Sequence, residues 1–254
     1  MDCRGWRGRG AGEAIEHGFS RAYYRQAAVC CADRRYLTNL ICGGLVMDIY
    51  DAINTRRTIR DFADRQIEMD IIEKIISAGL KAPTNDHMRS WEFVIVNNKN
   101  TRAEILKIIP KTFSKSEVAE WLDSWGAEDN IQREMYLEAV PKQYAMLYHA
   151  GCLILPFFRQ EGSLLQPESL SSLNEFASMW CCIENILLAA AAEGIFGVTR
   201  IPMDDESEHI KSVINHPAGY IMPCYIALGY PSKDAAVPKQ KEVSSKEKIH
   251  MDIW

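Results

Sequence analysis

The chain has 254 residues, 47% apolar and 25% charged, with a formal net charge of -5; this is the balance of a globular protein with a sizeable core, and it excludes collagen, coiled coil and wholesale disorder. A surplus of acids also argues against a general grip on nucleic-acid backbone, which needs Lys and Arg in excess on one face. Any anion held here is small and held locally. The eight cysteines show no CxxC or Cys/His spacing of a zinc site, and no secretory n-region and apolar h-region opens the chain, so the expectation is reduced thiols, no metal and a cytoplasmic location.

Residues 1–46 carry seven arginines, no lysine, no proline and four of the eight cysteines, whereas from Met47 onward lysine outnumbers arginine and acids dominate. An Arg-rich transit peptide fits poorly with Asp2, Glu13, Glu16, Asp33 and the lone Ser20. An appended module of this size could barely stabilise itself. Gly43-Gly44 can be encoded as a ribosome-binding sequence a few nucleotides before the Met47 codon. The expectation is therefore that the natural start is Met47, that residues 1–46 are an extension without function, and that residues 47–254 form one domain.

From Met47, apolar residues at Ile49, Ala52 and Ile53 have a short helical spacing that ends at a basic cluster. Residues 67–80 place Ile67, Ile71, Ile72, Ile75, Ile76 and Leu80 at three- and four-residue intervals with Gly79 near the end, an amphipathic helix with its stop. Ala82-Pro83-Thr84-Asn85 is a loop. Strand character over 91–96 gives way to a turn at Asn97-Asn98 and to a helix over 101–109, closed by Pro110. Residues 113–129 are polar and weakly periodic, and substrate-facing variability is expected there. Residues 131–149 read as helical despite Pro141, and 152–158 as a short apolar strand.

Residues 174–193 form a long alanine-rich helix, apolar nearly all round and so expected to be central and buried, with Cys181 and Cys182 as small core residues. Glu184 and Asn185 interrupt it, either as a satisfied buried polar pair or facing a second chain. A helix over 205–214 and a strand over 220–228 follow. The run 183–198 is broken by Glu184, Asn185 and Glu193, short of the roughly 20 apolar residues of a membrane span. The charged tail ends in Ile249, Met251, Ile253 and Trp254, which suggests docking. Strands separated by helices around one dominant helix indicate an α+β or α/β sandwich.

The chemistry lies in a few segments. Arg56, Arg57 and Arg60 fall within Arg56-Arg57-Thr58-Ile59-Arg60-Asp61-Phe62. A phosphate dianion needs several charge-assisted donors at once, and a hydroxyl such as that of Thr58 can satisfy a further oxygen. A solvated basic turn explains the segment equally well on its own. Pro238-Lys239-Gln240-Lys241 sets two cations on one side of an extended chain, and alone it reads as a surface charge run. There is no GxSxG elbow for a hydrolase and no GxGxxG for a dinucleotide-binding domain.

The order of these segments resembles the nitroreductase family of FMN flavoproteins over nearly all of residues 47–241: RRTIRDF after a short helix, an amphipathic helix, APTNDHMRSWEFVIV, a buried helix into EGIFG, a strand into GYP, and PKQK. The resemblance implies a homodimer with a three-layer α/β/α sandwich, an α+β fold with a mixed, mostly antiparallel sheet, and FMN at the subunit interface. Matched by motif, Arg56 and Lys241 would contact the FMN phosphate with Lys239 nearby. Thr58 stands where the family usually has serine, and Arg57 fills a variable position that tends to touch the cofactor. Arg60 would approach the polar edge of the flavin pyrimidine ring, where a cation stabilises the anionic reduced flavin.

Where the family often reads Asn-x-Gln-Pro-Trp, this chain has His87-Met88-Arg89-Ser90-Trp91. The flavin contact there falls to His87, or to Asn85 if the loop is shifted; Arg89 is a candidate for the ribityl or phosphate side or for a substrate carboxylate, and Trp91 for the core. In Gly194-Ile195-Phe196-Gly197-Val198-Thr199-Arg200-Ile201-Pro202-Met203, the backbone around Ile201 and Pro202 would face flavin N5 and O4. Pro202 has no N–H, which leaves Met203 as the donor.

The activity implied is ping-pong hydride transfer from NAD(P)H through FMN to a nitroaromatic, quinone or enone. A dehalogenase or flavin-destructase relative is the nearest enzymatic alternative, and a flavin storage or sensor protein without turnover is the alternative of another class.

Overall fold

A computed structural model describes residues 47–254; the expected extension, residues 1–46, lies outside the described residues. The chain opens with α1 (Ile49–Thr55) and α2 (Met69–Gly79), then β1 (Trp91–Ile95) and α3 (Lys99–Ile105). Next come α4 (Lys115–Ser124), α5 (Asn130–Ala139), α6 (Gln143–Tyr148) and β2 (Cys152–Arg159). The long α7 (Asn174–Ala192), β3 (Phe196–Arg200), α8 (Asp204–Ile214), β4 (Tyr220–Ile221) and β5 (Tyr225–Gly229) complete the set.

β2 explains the layering. It is buried at every position but Arg159, and its side chains alternate: Cys152, Ile154 and Phe158 enter one core, Leu153, Leu155 and Phe157 the other. A strand reverses face at each residue, so an unbroken apolar run needs cover on both sides. The first core is closed by Ile72 and Ile75 of α2 and by Met179, Cys182, Ile183 and Ile186 of α7. The second is closed by Ile105 of α3, Met146 and Leu147 of α6, and Ile210 of α8. Each such side chain contributes about 1.5–3 kcal/mol on burial. The result is the expected α/β/α sandwich.

The strand order is β1-β2-β5-β3, with β4 on β2, and every strand pair is antiparallel. The parallel part of the expected mixed sheet is an isolated bridge between Thr58 and Gly197. The single strand expected over 220–228 is divided: Ile226 faces Ile154, but Ile221 faces Phe158, a slip of one residue around Pro223. Proline has no N–H for the ladder, and an extra residue is accommodated there as in a bulge.

α7 departs from the expectation of full burial. Its inner face holds Ser178, Met179, Cys182, Ile183, Ile186, Ala190 and Ala191, and it meets α2 so closely that a Cβ on Gly79 would stand 2.6 Å from Ile186 Cγ1. Ala177, Cys181, Glu184 and Ala192 are exposed at helical spacing on the other side. Cys182 is thus a core residue and Cys181 is not. By length and apolarity alone Leu170–Ala192 could cross a membrane; its packing on α2 and the sheet identifies it as the core helix.

Two other differences have local causes. Within the weakly periodic residues 113–129 lies the regular α4, capped by Ser114 in a reciprocal capping box with Glu117, a Ser-x-x-Glu signal legible in the sequence. Pro141 does interrupt the helix expected over 131–149, which becomes α5, a 3₁₀ turn at Val140–Lys142 and α6. Nothing in the patterning announced Arg102. Only 2% exposed, it donates to the carbonyls of Val96, Tyr148 and Ala150, tying α3 to the ends of β1 and α6.

Candidate functional site

The site begins where α1 stops. Asp48 caps that helix, accepting from Asp51 N at 2.8 Å, and Arg56 leaves it with extended backbone angles. Ile59 anchors the segment that leads away from the helix: it is 1% exposed, and its N–H donates to Gly197 O at 3.3 Å. Thr58 bridges Gly197 in parallel and Phe62 bridges Pro231. The basic segment is therefore laid along the edge of β3 and the end of β5, and alternation about the buried Ile59 puts Thr58 and Arg60 on the opposite side.

Arg60 is the most enclosed cation of the segment, with a side chain 9% exposed. Its Nη1 lies 3.3 Å from Glu138 Oε2 and its Nη2 3.9 Å from Met135 Sδ, both on α5. Its Nε is buried without a hydrogen-bond partner. Burial pushes the guanidinium pKa down, and the charges of Glu138 and Asp61 pull it back. Arginine nonetheless stays charged in proteins, so this is a buried cation whose Nε–H still lacks an acceptor. Glu138 also pairs with Lys142, which reaches Asp61 at 2.6 Å. The four groups form one neutral network.

The other cations are more open. Arg56 Nε lies 3.4 Å from Glu184 Oε1 on α7, and Arg57 Nη1 donates to Arg56 O at 2.7 Å. Lys239 is exposed. Lys241 Nζ is 3.0 Å from Asp129 Oδ2, the N-cap of α5. Arg56 and Lys241 thus pair with carboxylates of different elements, and among the described residues no hydrogen bond or ion pair joins them.

The 85–89 loop is a 3₁₀ turn at Asn85–His87 held on α7: Asn85 N donates to Ser178 Oγ at 3.2 Å, and Asn174 Nδ2 donates to Asn85 Oδ1 at 3.3 Å. His87 and Arg89 adopt φ of 58° and 45°, a left-handed conformation costly for residues with a Cβ and characteristic of functional turns. Both side chains are exposed. Arg89 donates to Leu80 O at 3.1 Å and to His87 O at 3.4 Å, so in the single chain it braces its own loop. Trp91 is core, as expected.

Beyond β3, Ile201 and Met203 are each 68% exposed, and Met203 is the N-cap of α8 without a side-chain cap. A buried clamp stands behind them. Arg200 pairs with Glu206 and donates from Nε to Gln143 Oε1 at 2.9 Å, while Tyr225 OH donates to Glu206 Oε2 at 3.2 Å. The structure therefore brings the 56–62 segment to the strand that feeds the 201–203 turn. Glu138, Lys142, Asp61 and Glu206 were missed in the sequence. Of these only Glu138 and Lys142 had a signal, a Glu four residues before a Lys on a helical stretch.

Residues 53–230 match the Nitroreductase family, well over half of the chain. The chain belongs to the nitroreductase family. As a member it is an oxidoreductase. Among similar proteins is the putative NADH dehydrogenase/NAD(P)H nitroreductase of Methanothermobacter thermautotrophicus, 27% identical over 82% of this chain and 88% of that protein. Iodotyrosine deiodinase 1 of Homo sapiens is 28% identical over 76% of this chain, which spans 65% of that protein's length. Among solved structures, oxidised iodotyrosine deiodinase bound to FMN and 3-iodo-L-tyrosine superposes with a TM-score of 0.59 at 20% identity, covering 82% of this chain and all of that one. That likeness shows the family's fold.

Proposed function

We propose that this nitroreductase-family chain is a homodimeric FMN enzyme that takes hydride from NAD(P)H and reduces an organic acceptor such as a nitroaromatic, quinone or enone in a ping-pong cycle. The observation that carries the reading is Arg60, a buried cation with an unpartnered Nε on a segment bridged to β3. The residues fit the cofactor: the oxygen-rich pyrimidine edge of a flavin supplies the acceptor that this donor lacks. When bound, FMN supplies two-electron chemistry at N5.

The chain's own residues have separate tasks. Arg56, with Arg57, Lys239 and Lys241, holds the phosphate, and Thr58 offers a hydroxyl beside it. Arg60 faces the pyrimidine edge. Ile201 and Pro202 shape the turn that presents the Met203 N–H, a turn held rigid from behind by the Arg200–Glu206 clamp. His87 or Asn85 meets the ring from the second segment, and Arg89 the ribityl side or a substrate carboxylate.

A second copy is the natural cover for the open face of α7, with Ala177, Cys181 and Ala192, and for Ile49, Tyr50 and Ile53 of α1, which are 59%, 71% and 49% exposed. Exposed apolar residues gathered on two helices in contact with each other are what an interface presents. It also explains how Arg56 and Lys241, unjoined within one chain, come to serve one phosphate: the two chains line each site together.

A second reading, reductive dehalogenation of an aryl halide, is favoured by the similarity to iodotyrosine deiodinase 1 and differs only in the acceptor. Anaerobic NAD(P)H titration of the FMN-loaded protein separates the readings. Bleaching followed by recolouring with a nitroaromatic or quinone supports the first, and iodide release from an iodophenol supports the second. A bound flavin that neither nucleotide bleaches would assign the protein to flavin storage or sensing.

A further inference from the structure

Arg60 does not act alone: it is joined through Glu138 to Lys142 and through Lys142 to Asp61. We infer that Glu138 is a positioning residue that sets the reduction potential of the flavin through Arg60. This rests on the proposed FMN reading and deepens it.

The effect is electrostatic. The side chain of Arg60 is 9% exposed and that of Glu138 31%, so their interaction is screened less than that of surface charges. A full positive charge at the pyrimidine edge favours the anionic reduced flavin and raises the potential. A carboxylate 3.3 Å from the same guanidinium offsets part of that charge and lowers it. Lys142, paired with Glu138 and 2.6 Å from Asp61, in turn offsets the carboxylate.

Position makes Glu138 suited to this. It holds the Nη side of the guanidinium and leaves Nε without a partner, so one end of Arg60 is fixed and the other is left for an acceptor. Met135, one turn earlier on α5, touches Nη2 and closes the same side.

The experiment is a spectroelectrochemical titration of the FMN-loaded dimer and two variants. Glu138→Gln keeps size and an accepting oxygen but removes the charge, and the midpoint is expected to rise by about 30 mV, equivalent to a tenfold shift in the oxidised/reduced ratio for two electrons. Lys142→Gln leaves the carboxylates less compensated, and the midpoint is expected to fall. Opposite signs from two neighbouring residues are not produced by simple loosening of the site. If one variant does not fold or load, the other decides by its own sign. A flavin that binds normally but whose midpoint does not move, or moves the same way in both variants, overturns this inference alone. A wild-type protein that binds no FMN overturns the parent reading as well.

Discussion

Thr58 and Gly197 face each other across an isolated parallel bridge, and Gly197 cannot be replaced without disturbing it. A Cβ there would stand 2.4 Å from Ala227 O and 2.5 Å from Leu228 Cδ2; the leucine can swing aside but the backbone oxygen cannot. Gly197→Ala is expected to lower stability by about 1–3 kcal/mol, the usual cost of overpacking, and to weaken FMN binding in parallel. Urea denaturation checks it, and an unchanged midpoint with unchanged m would contradict it.

Arg56 and Arg65 make a matched pair of tests. The Arg56–Glu184 contact is partly exposed and contributes little to folding, so Arg56→Ala should leave Tm nearly unchanged. Its FMN Kd should rise tenfold or more, since a charge-assisted hydrogen bond contributes about 1.5–3 kcal/mol. Arg65 instead lies 3.8 Å over the Tyr230 ring. Arg65→Ala should cost about 0.5–1 kcal/mol of stability and leave Kd alone. Fluorescence titration with FMN reads both, and equal losses of affinity would refute the phosphate assignment.

The open face of α7 gives a test of assembly. Cys181 is exposed there, so Cys181→Arg meets no steric obstacle within its own chain. Sedimentation velocity should find the wild type as a dimer and the variant largely as a folded monomer with reduced FMN affinity. A variant that stays dimeric would place the interface elsewhere.

Alkaline pH should destabilise the fold. Burial pushes the Cys152 and Cys182 thiols from an ordinary 9.0 up to about 12. A group whose pKa is raised on folding contributes stability that is complete below its unfolded pKa and is lost as pH rises towards the folded one. Lys142 acts in the same direction: burial opposes its charge, but hydrogen bonds to Asp61 and Glu138 and their charges carry its pKa above the ordinary value. Tm should therefore hold to about pH 9 and fall steadily above it. A Tm that is flat to about pH 11 would be at odds with these buried thiols.

Local patterning accounts for what was legible beforehand. The isoleucine ladder of α2 and the apolar run of β2 each carry their own period, and the structure returns them within one or two residues of the expected bounds. Patterns that depend on a distant partner were not readable. The slip at Pro223 exists only against β2, and Glu138 meets Arg60 only because α5 folds back over the 56–62 segment. The open side of α7 was misread as core because Ala177, Cys181 and Ala192 on it are as apolar as the residues of the buried face. The basic segment could be found from its composition, whereas the unpartnered Nε that gives Arg60 its meaning required the fold.

The most direct measurement is the absorbance spectrum of the purified protein, reconstituted with FMN and titrated anaerobically with NADH or NADPH. The expected result is a bound flavin, bleached by at least one nucleotide and restored by a nitroaromatic, quinone or halogenated aromatic acceptor. Protein that takes up no FMN after refolding in its presence would contradict the assignment of Arg56, Arg60 and Lys241 to the cofactor.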